Sequence, residues 1–345
     1  MRDGTPTPSA THLRPTLEAV ARVAGVSRAT VSRVINGSPR VSPEVLASVE
    51  KAIAQLNYVP NRAARSLVAR ATMSIALVVP EDAHRFFGDP YFADVVQGIS
   101  ERLDESDYVL NLQLTHPSSP SEKTRRYLLG GNVDGAIVVS HHSGDHFLAS
   151  LGESLPVVFG GRPMGVVANP ADYYVDVDNR LGAVQATRRL IDIGRTAIAT
   201  ITGPTDMPAS VDREVGWRDA LREAGLPDHR VAHGDFTEAG GIRAALQLIE
   251  EHPDLDAIFV ASDLMASGAL LTLSDRGLRV PRDVAVVGFD NSRYATRGPI
   301  GLTTVAQPAQ EMGVFMADKL LRLLAGEDVE RVTLLPTRLV VRDSA

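Results

Sequence analysis

Residues Leu17–Leu67 read LEAVARVAGVSRATVSRVINGSPRVSPEVLASVEKAIAQLNYVPNRAARSL. In Leu17–Gly25 the apolar residues Leu17, Val20, Ala21 and Ala24 recur at i, i+3, i+4 and i+7, one face of a helix. Gly25 supplies a turn, and Ser27 can cap a second helix by accepting a free first-turn N–H. Val31, Val34 and Ile35 give that helix a buried side, while Arg28, Ala29, Ser32 and Arg33 fall in one exposed wedge. Two short helices joined at a glycine, the second with an arginine-bearing face, predict a helix-turn-helix. Its second helix would enter the major groove, where a planar guanidinium can bond O6 and N7 of guanine together. Ser42-Pro43 opens a third helix with a cap and a first-turn proline, followed by Val45, Val49, Ile53 and Leu56 at helical spacing.

Charge is distributed to match. The chain of 345 residues has a net charge of −7, yet residues 1–72 hold ten Lys/Arg against four Asp/Glu, and residues 73–345 hold 25 against 38. Basic charge is gathered where phosphates would be met, and the acidic body discourages indiscriminate binding. There is no cysteine, so disulfides and thiol chemistry are excluded. No run of 18 apolar residues and no signal-peptide pattern occurs, so a cytoplasmic, nucleoid-associated protein with no membrane contact is expected.

After the basic stretch, continuous Val/Ile/Ala runs alternate with amphipathic segments. Strands are predicted at 74–79, 109–114, 134–140, 156–161, 173–178, 197–202, 230–234, 257–261 and 284–289, with an extended end over 332–341. Such alternation implies parallel sheets covered on both faces. So many strands are too wide for one sheet and predict two doubly wound lobes, with ligand taken beyond the carboxyl ends of the strands.

Signatures of chemistry are missing. There is no GxxxxGK[ST], no GxSxG, and Pro80-Glu81-Asp82 stands where a dinucleotide fingerprint would follow the first strand. His141, His142 and His146 cluster without a carboxylate at ligand spacing, so no metal and no cofactor is expected. The strand ends instead carry Asp, Asn and Arg, which satisfy hydroxyls, and aromatic rings, which cover apolar C–H faces of a sugar. Phe86-Phe87-Gly88-Asp89-Pro90-Tyr91-Phe92 is dense in aromatics for a chain with 5% of them.

TLEAVARVAGVSRATVSRVING and LNYVPNRAARSL, in this order and spacing, resemble the lactose/galactose repressor family, and the resemblance extends over residues 16–343. It implies a regulator with an all-α helix-turn-helix headpiece and an α/β, two-lobed periplasmic-binding-protein-like core of two doubly wound parallel sheets. The expected organisation is an arm at 1–15, a helix-turn-helix domain at 16–60, a hinge helix and linker at 61–72, and a core at 73–345. Lobe 1 would comprise about 73–173 and 305–331 and lobe 2 about 174–304 and 332–345, with crossings near Tyr173, Thr304 and Arg331. Arg28, Ala29 and Arg33 would read bases, supported by Ser27, Thr30, Ser32, Asn36 and Tyr58. In the hinge, Asn61, Arg62 and Arg65 would meet DNA and Leu67 would wedge into the minor groove.

For ligand the resemblance implies Tyr91 and Phe92 in the first lobe; His142 after the third strand and Arg162 after the fourth are strand-end candidates, the latter where the lactose repressor's aspartate is absent. In the second lobe it implies Arg213 and Trp217 of Arg213-Glu214-Val215-Gly216-Trp217, Phe236 and Asp290, and Ser262 and Asp263 are further candidates at a strand end. For Trp217 core packing is the favoured reading, and Asp263 is as well suited to capping the helix that starts there. FFGDPYF, FGGRPMG, VDVDN, GDFTEAGG and FVASDLM look most like repressors answering to cello-oligosaccharides or related β-glucosides. The expected partners are double-stranded operator DNA, a sugar effector and a second copy in a homodimer. The polarity stays open: a ligand that tightens DNA binding uses the same fold, and a sugar-binding or sugar-modifying protein is the remaining alternative.

Overall fold

The structure is a computed structural model. It describes residues 15–35, 40–58, 71–115, 122–149, 151–152 and 154–345. They form two compact units divided between Thr72 and Met73. Asn36, Asn61, Arg62, Arg65 and Leu67, the hinge at 61–68 and the arm before Pro15 lie outside the described residues.

The first unit holds helices α1 (Leu17–Ala24), α2 (Arg28–Ile35) and α3 (Pro43–Leu56). Thr16 caps α1, and Gly25 ends it in the left-handed region at φ 68°, a conformation that suits a residue without Cβ. Ser27 caps α2 through the Thr30 N–H at 3.1 Å, and Ser42 with Pro43 opens α3. Val20, Ala21, Val31, Val49 and Ala52 are buried together, with Leu17, Val34, Ile35, Val45, Ile53 and Leu56 packed around them. The core of this unit is therefore the apolar face that helical spacing predicts.

The second unit contains strands β1 (Ser74–Val79), β2 (Val109–Leu114), β3 (Gly135–Val139), β4 (Val157–Gly160), β5 (Tyr173–Val177), β6 (Ile198–Thr202), β7 (Val231–His233), β8 (Ala257–Val260), β9 (Ala285–Asp290), β10 (Thr303–Ala306), β11 (Val332–Leu335) and β12 (Arg338–Val340). They make two six-stranded sheets, ordered β11-β5-β4-β3-β1-β2 and β12-β10-β9-β8-β6-β7. Neighbours pair in parallel, for example Leu77 with Leu112 and Ile137, except that β12 runs antiparallel to β10. β3, β4, β6 and β8 are buried along their whole length, the burial expected of strands covered on both faces.

The crossings between lobes fall later than the sequence suggests. β5 and β11 both belong to the first sheet, so the chain crosses after Val177, after Ala306 and after Leu335. Two features hid this. Thr303–Ala306 is a short strand that alternation did not reveal. The extended end over 332–341 is two strands in different sheets, separated at Pro336-Thr337, where proline offers no N–H to continue a ladder. Helix Ala309–Leu324 returns to lobe 1 and packs on helix Pro90–Leu103. Gly98 and Gly313 let their backbones touch: a Cβ on Gly98 would overlap the Gln310 carbonyl, and one on Gly313 the Val95 carbonyl. No helix among the described residues is long and apolar enough to cross a membrane.

Candidate functional site

In the first unit, Ser27, Arg28, Ala29 and Arg33 are exposed, with Thr30 and Ser32 partly so. Arg28 Nη1 lies 3.2 Å from Glu18 Oε1 on α1, and Ser27 Oγ lies 2.8 Å from Thr30 Oγ1. The arginine face of α2 is thus presented as helical geometry predicts. Tyr58 departs from expectation. It is 7% exposed and joins the headpiece core, because the α3 helix ends in left-handed Asn57 and turns the next side chain inward.

Between the lobes of the second unit lies a cleft. Its walls are the carboxyl ends of the strands, where doubly wound sheets take ligands. Arg85, Asp89, Tyr91, Ser140, His141 and Asp176 line it from lobe 1, and Asn179, Met207, Arg213, Phe236, Ser262 and Asp290 from lobe 2. Gln307 sits at the second crossing.

A polar chain spans the cleft floor. Asn179 Nδ2 donates to Asp176 Oδ1 at 3.0 Å, Arg213 Nε donates to Asn179 Oδ1 at 2.9 Å, and Arg213 Nη1 donates to the Ala261 carbonyl at 2.6 Å. The same Nη1 lies 3.8 Å from Asp290 Oδ1, which accepts from Gln307 Nε2 at 2.6 Å. The Arg213 guanidinium stacks 3.6 Å from the Phe289 ring centroid and is 4% exposed, so it is a buried cation, not a surface ion pair. Burial raises Asp176 to about 6, against bonds from the Arg162 and Val177 N–H groups and the charge of Arg213. Burial likewise drives Asp290 well above the usual carboxylate range, opposed by Arg213. Asp89 is raised by burial too, and it accepts from the Tyr91 N–H as cap of helix Pro90–Leu103. Burial lowers His141 to about 4, so its imidazole is neutral.

Backbone strain gathers at the same place. Ser140, Phe236 and Asp290 have φ of 60°, 59° and 113°, left-handed values that side chains with Cβ seldom adopt, and all three line the cleft.

Tyr91, Arg213, Phe236, Ser262 and Asp290 are brought together as the sequence suggests. Five expected ligand contacts lie elsewhere. Phe92 is 1% exposed in the lobe 1 core, because successive helical residues diverge by about 100° and only Tyr91 can face the cleft. Trp217 is wholly buried among Ala183, Leu190 and Leu221 in the lobe 2 core. Asp263 is fully buried as well, accepting from Thr304 Oγ1 at 2.6 Å and the Ser292 N–H at 2.7 Å, while Ser262 caps the helix. His142 and Arg162 tie the lobes together instead: His142 Nδ1 lies 2.9 Å from Asp206 Oδ2, and Arg162 Nη2 holds both Asp212 oxygens at 2.8 and 3.0 Å.

Reasoning from sequence missed Arg85, Asp89, His141, Asp176, Asn179 and Gln307. Asp176 and Asn179 were within reach, since VDVDN places a lone carboxylate inside an apolar strand and such a charge needs partners. Asp89 announces itself as a cap before Pro90. Gln307 and Arg85 follow or occupy elements that carry no periodic signal.

A small basic three-helix unit and a two-lobed α/β core with a polar cleft define a ligand-responsive regulator that binds DNA. The chain belongs to the lacI family of bacterial regulatory proteins. Residues 16–61 match the model "Bacterial regulatory proteins, lacI family", and residues 187–345 match "Periplasmic binding protein-like domain". The chain is 47% identical over 335 residues to the HTH-type transcriptional regulator CelR of Thermobifida fusca, covering 96% of this chain and 98% of that protein. A solved structure described as a transcriptional regulator CelR-cellobiose complex is 44% identical, covers 96% of this chain and 100% of its own, and has a TM-score of 0.76. A lac repressor dimer bound to operator and an anti-inducer is 28% identical, covers 96% and 99%, and has a TM-score of 0.85.

Proposed function

We propose that this protein is a transcriptional repressor of sugar-utilisation genes, binding a near-palindromic operator as a homodimer and released by a cello-oligosaccharide or related glucoside. It would act on the DNA of the cytoplasm. The observation that carries the reading is the cleft: buried Asp176, Asn179 and Arg213 and half-buried Asp89, Asp290 and Gln307 converge on strand ends beside the Tyr91 and Phe236 rings. That mixture suits a ligand with many hydroxyls and apolar ring faces. The carboxyl groups of Asp89, Asp176 and Asp290 and the guanidinium groups of Arg85 and Arg213 give the cleft both acceptors and donors for sugar hydroxyls. The cellobiose described in the CelR complex is such a sugar.

One headpiece offers few base contacts, so two-fold symmetry is needed and the operator is expected to mirror it. Arg28, Ala29 and Arg33 are assigned to base edges, with Ser27, Thr30 and Ser32 beside them. Leu67 is assigned to the minor groove at the centre of the operator. Sugar held between the lobes favours their closure, and operator and sugar then oppose each other by the same factor.

The test is operator affinity by fluorescence anisotropy at fixed salt, using fragments upstream of sugar genes and a sugar panel led by cellobiose. Weakening by about tenfold or more on adding cellobiose is expected. Tightening would assign the opposite polarity, and absence of any specific DNA binding would reject the reading.

A further inference from the structure

We propose that closure of the lobes on a sugar takes up a proton at His142, so that acidity strengthens effector binding and, through it, release from the operator. This rests on the reading of the cleft as a sugar site. His142 lies in the loop after β3 of lobe 1, and its side chain is 15% exposed. Both of its ring nitrogens face carboxylates. Nδ1 lies 2.9 Å from Asp206 Oδ2, in the loop after β6 of lobe 2, and Nε2 lies 3.4 Å from Glu81 Oε1, after β1 of lobe 1. A neutral imidazole has one N–H and one lone pair. Placed between these two carboxylates it donates to one and turns its lone pair on the other. The imidazolium donates to both, so the geometry selects the charged ring.

The surrounding charges agree. Glu81 is buried and accepts from Ser140 Oγ at 2.7 Å, with Arg85 Nη1 at 3.2 Å. Asp145 Oδ2 accepts from the His142 backbone N–H at 2.7 Å. Three carboxylates, Glu81, Asp145 and Asp206, thus stand around the ring against the one guanidinium of Arg85. Arg162 is engaged with both oxygens of Asp212, and the neutral His141 turns Nε2 to the Arg162 carbonyl at 3.3 Å. The His142 imidazolium is the second cation of this cluster.

Closure is what supplies Asp206. The Asp206 carbonyl accepts from the Ser143 N–H at 2.8 Å, so one residue of lobe 2 grips two consecutive residues of lobe 1 through backbone and side chain. Parting the lobes takes Asp206 away and leaves Glu81 in place, so His142 holds its proton more firmly when the lobes are together. Burial opposes the charge, but Glu81 and Asp206 prevail and raise the ring from 6.5 to about 9. A proton site strengthened by closure favours the closed form fully at pH below its open-state value, and the advantage is lost as pH rises through about 9.

The test is isothermal titration of cellobiose into the full-length protein at pH 8 in phosphate and in Tris, whose different heats of ionisation report the protons exchanged. Affinity is also followed from pH 6.5 to 9.5. The proteins are the parent, His142→Gln and Asp206→Asn. The parent is expected to take up about half a proton or more per sugar bound at pH 8, and to bind about tenfold more weakly at pH 9.5 than at pH 6.5. Both variants are expected to lose most of that uptake and most of that slope, a result that a merely structural role would not give. No uptake by the parent, or equal uptake in the parent and both variants, overturns the proposal and leaves the cleft reading standing. If the parent binds no cellobiose at any of these pH values, the reading of the cleft falls and the proposal with it.

Discussion

In the headpiece the candidate contacts run from Ser27 to Arg33, consecutive residues on and beside one helix. In the core the cleft draws residues from Arg85 to Met312, with contributions from both sheets and from a crossing segment. The first site is local: helical period alone places Arg28 and Arg33 outward and Val31 inward. The second is assembled, and its members share only their position at the carboxyl ends of strands. Local sites can be read residue by residue. Assembled sites can be read only as neighbourhoods, so five of the ligand residues named from sequence, at strand ends or from family pattern, lie outside the cleft.

The strongest test of this contrast is Trp217→Ala. A wholly buried indole in the lobe 2 core should cost about 3–5 kcal/mol of stability in urea unfolding. Unchanged stability would show that the side chain is not core. Arg213→Ala comes next. Removing a buried, hydrogen-bonded cation should cost about 2–5 kcal/mol of sugar affinity, leaving operator binding intact in the absence of sugar. A variant still released normally by sugar would remove Arg213 from the site. In the headpiece, Arg33→Ala should cost about 1–3 kcal/mol at one operator position, seen as relaxed preference there in a binding-site library. Unchanged sequence preference would reject its role in reading bases.

The smallest effect is a pH dependence of the lobe tie. Burial opposes charge on His142, but its bonds to Glu81 and Asp206 prevail and raise it to about 9. A group raised above its free value stabilises the fold fully below that value, near 6.5, and loses the contribution as pH rises through about 9. Melting temperature should therefore fall more steeply between pH 6.5 and 9.5 in the parent than in His142→Gln. Parallel slopes would mean that the imidazole carries no linked proton.

Much was legible beforehand. The α1–α3 core was readable because its apolar residues repeat at helical period within a short stretch. The parallel strands were readable because burial on both faces demands unbroken apolar runs such as Ile75–Val79. Thr303–Ala306 was not, since two threonines at its start give no apolar run, though Thr303 and Thr304 are fully buried. Their hydroxyls are satisfied by Arg342, Ala345 and Asp263, distant partners that local pattern cannot supply. His142 was misread for a related reason: Asp206, which claims it, lies on the other lobe.

The sequence by itself determined the helix-turn-helix, its exposed arginine face, the two-lobed α/β architecture and the membership of a regulator family. These follow from periodicity, capping and charge, which act over a few residues, and from motifs that keep their spacing. Only the tertiary structure decided which strand-end side chains face the cleft, which bind the lobes together and which are buried as packing. That choice depends on the direction of each side chain and on partners far away in the chain. Trp217 and Arg213 show it within one helix: four residues apart, one fills the lobe 2 core and the other lines the cleft.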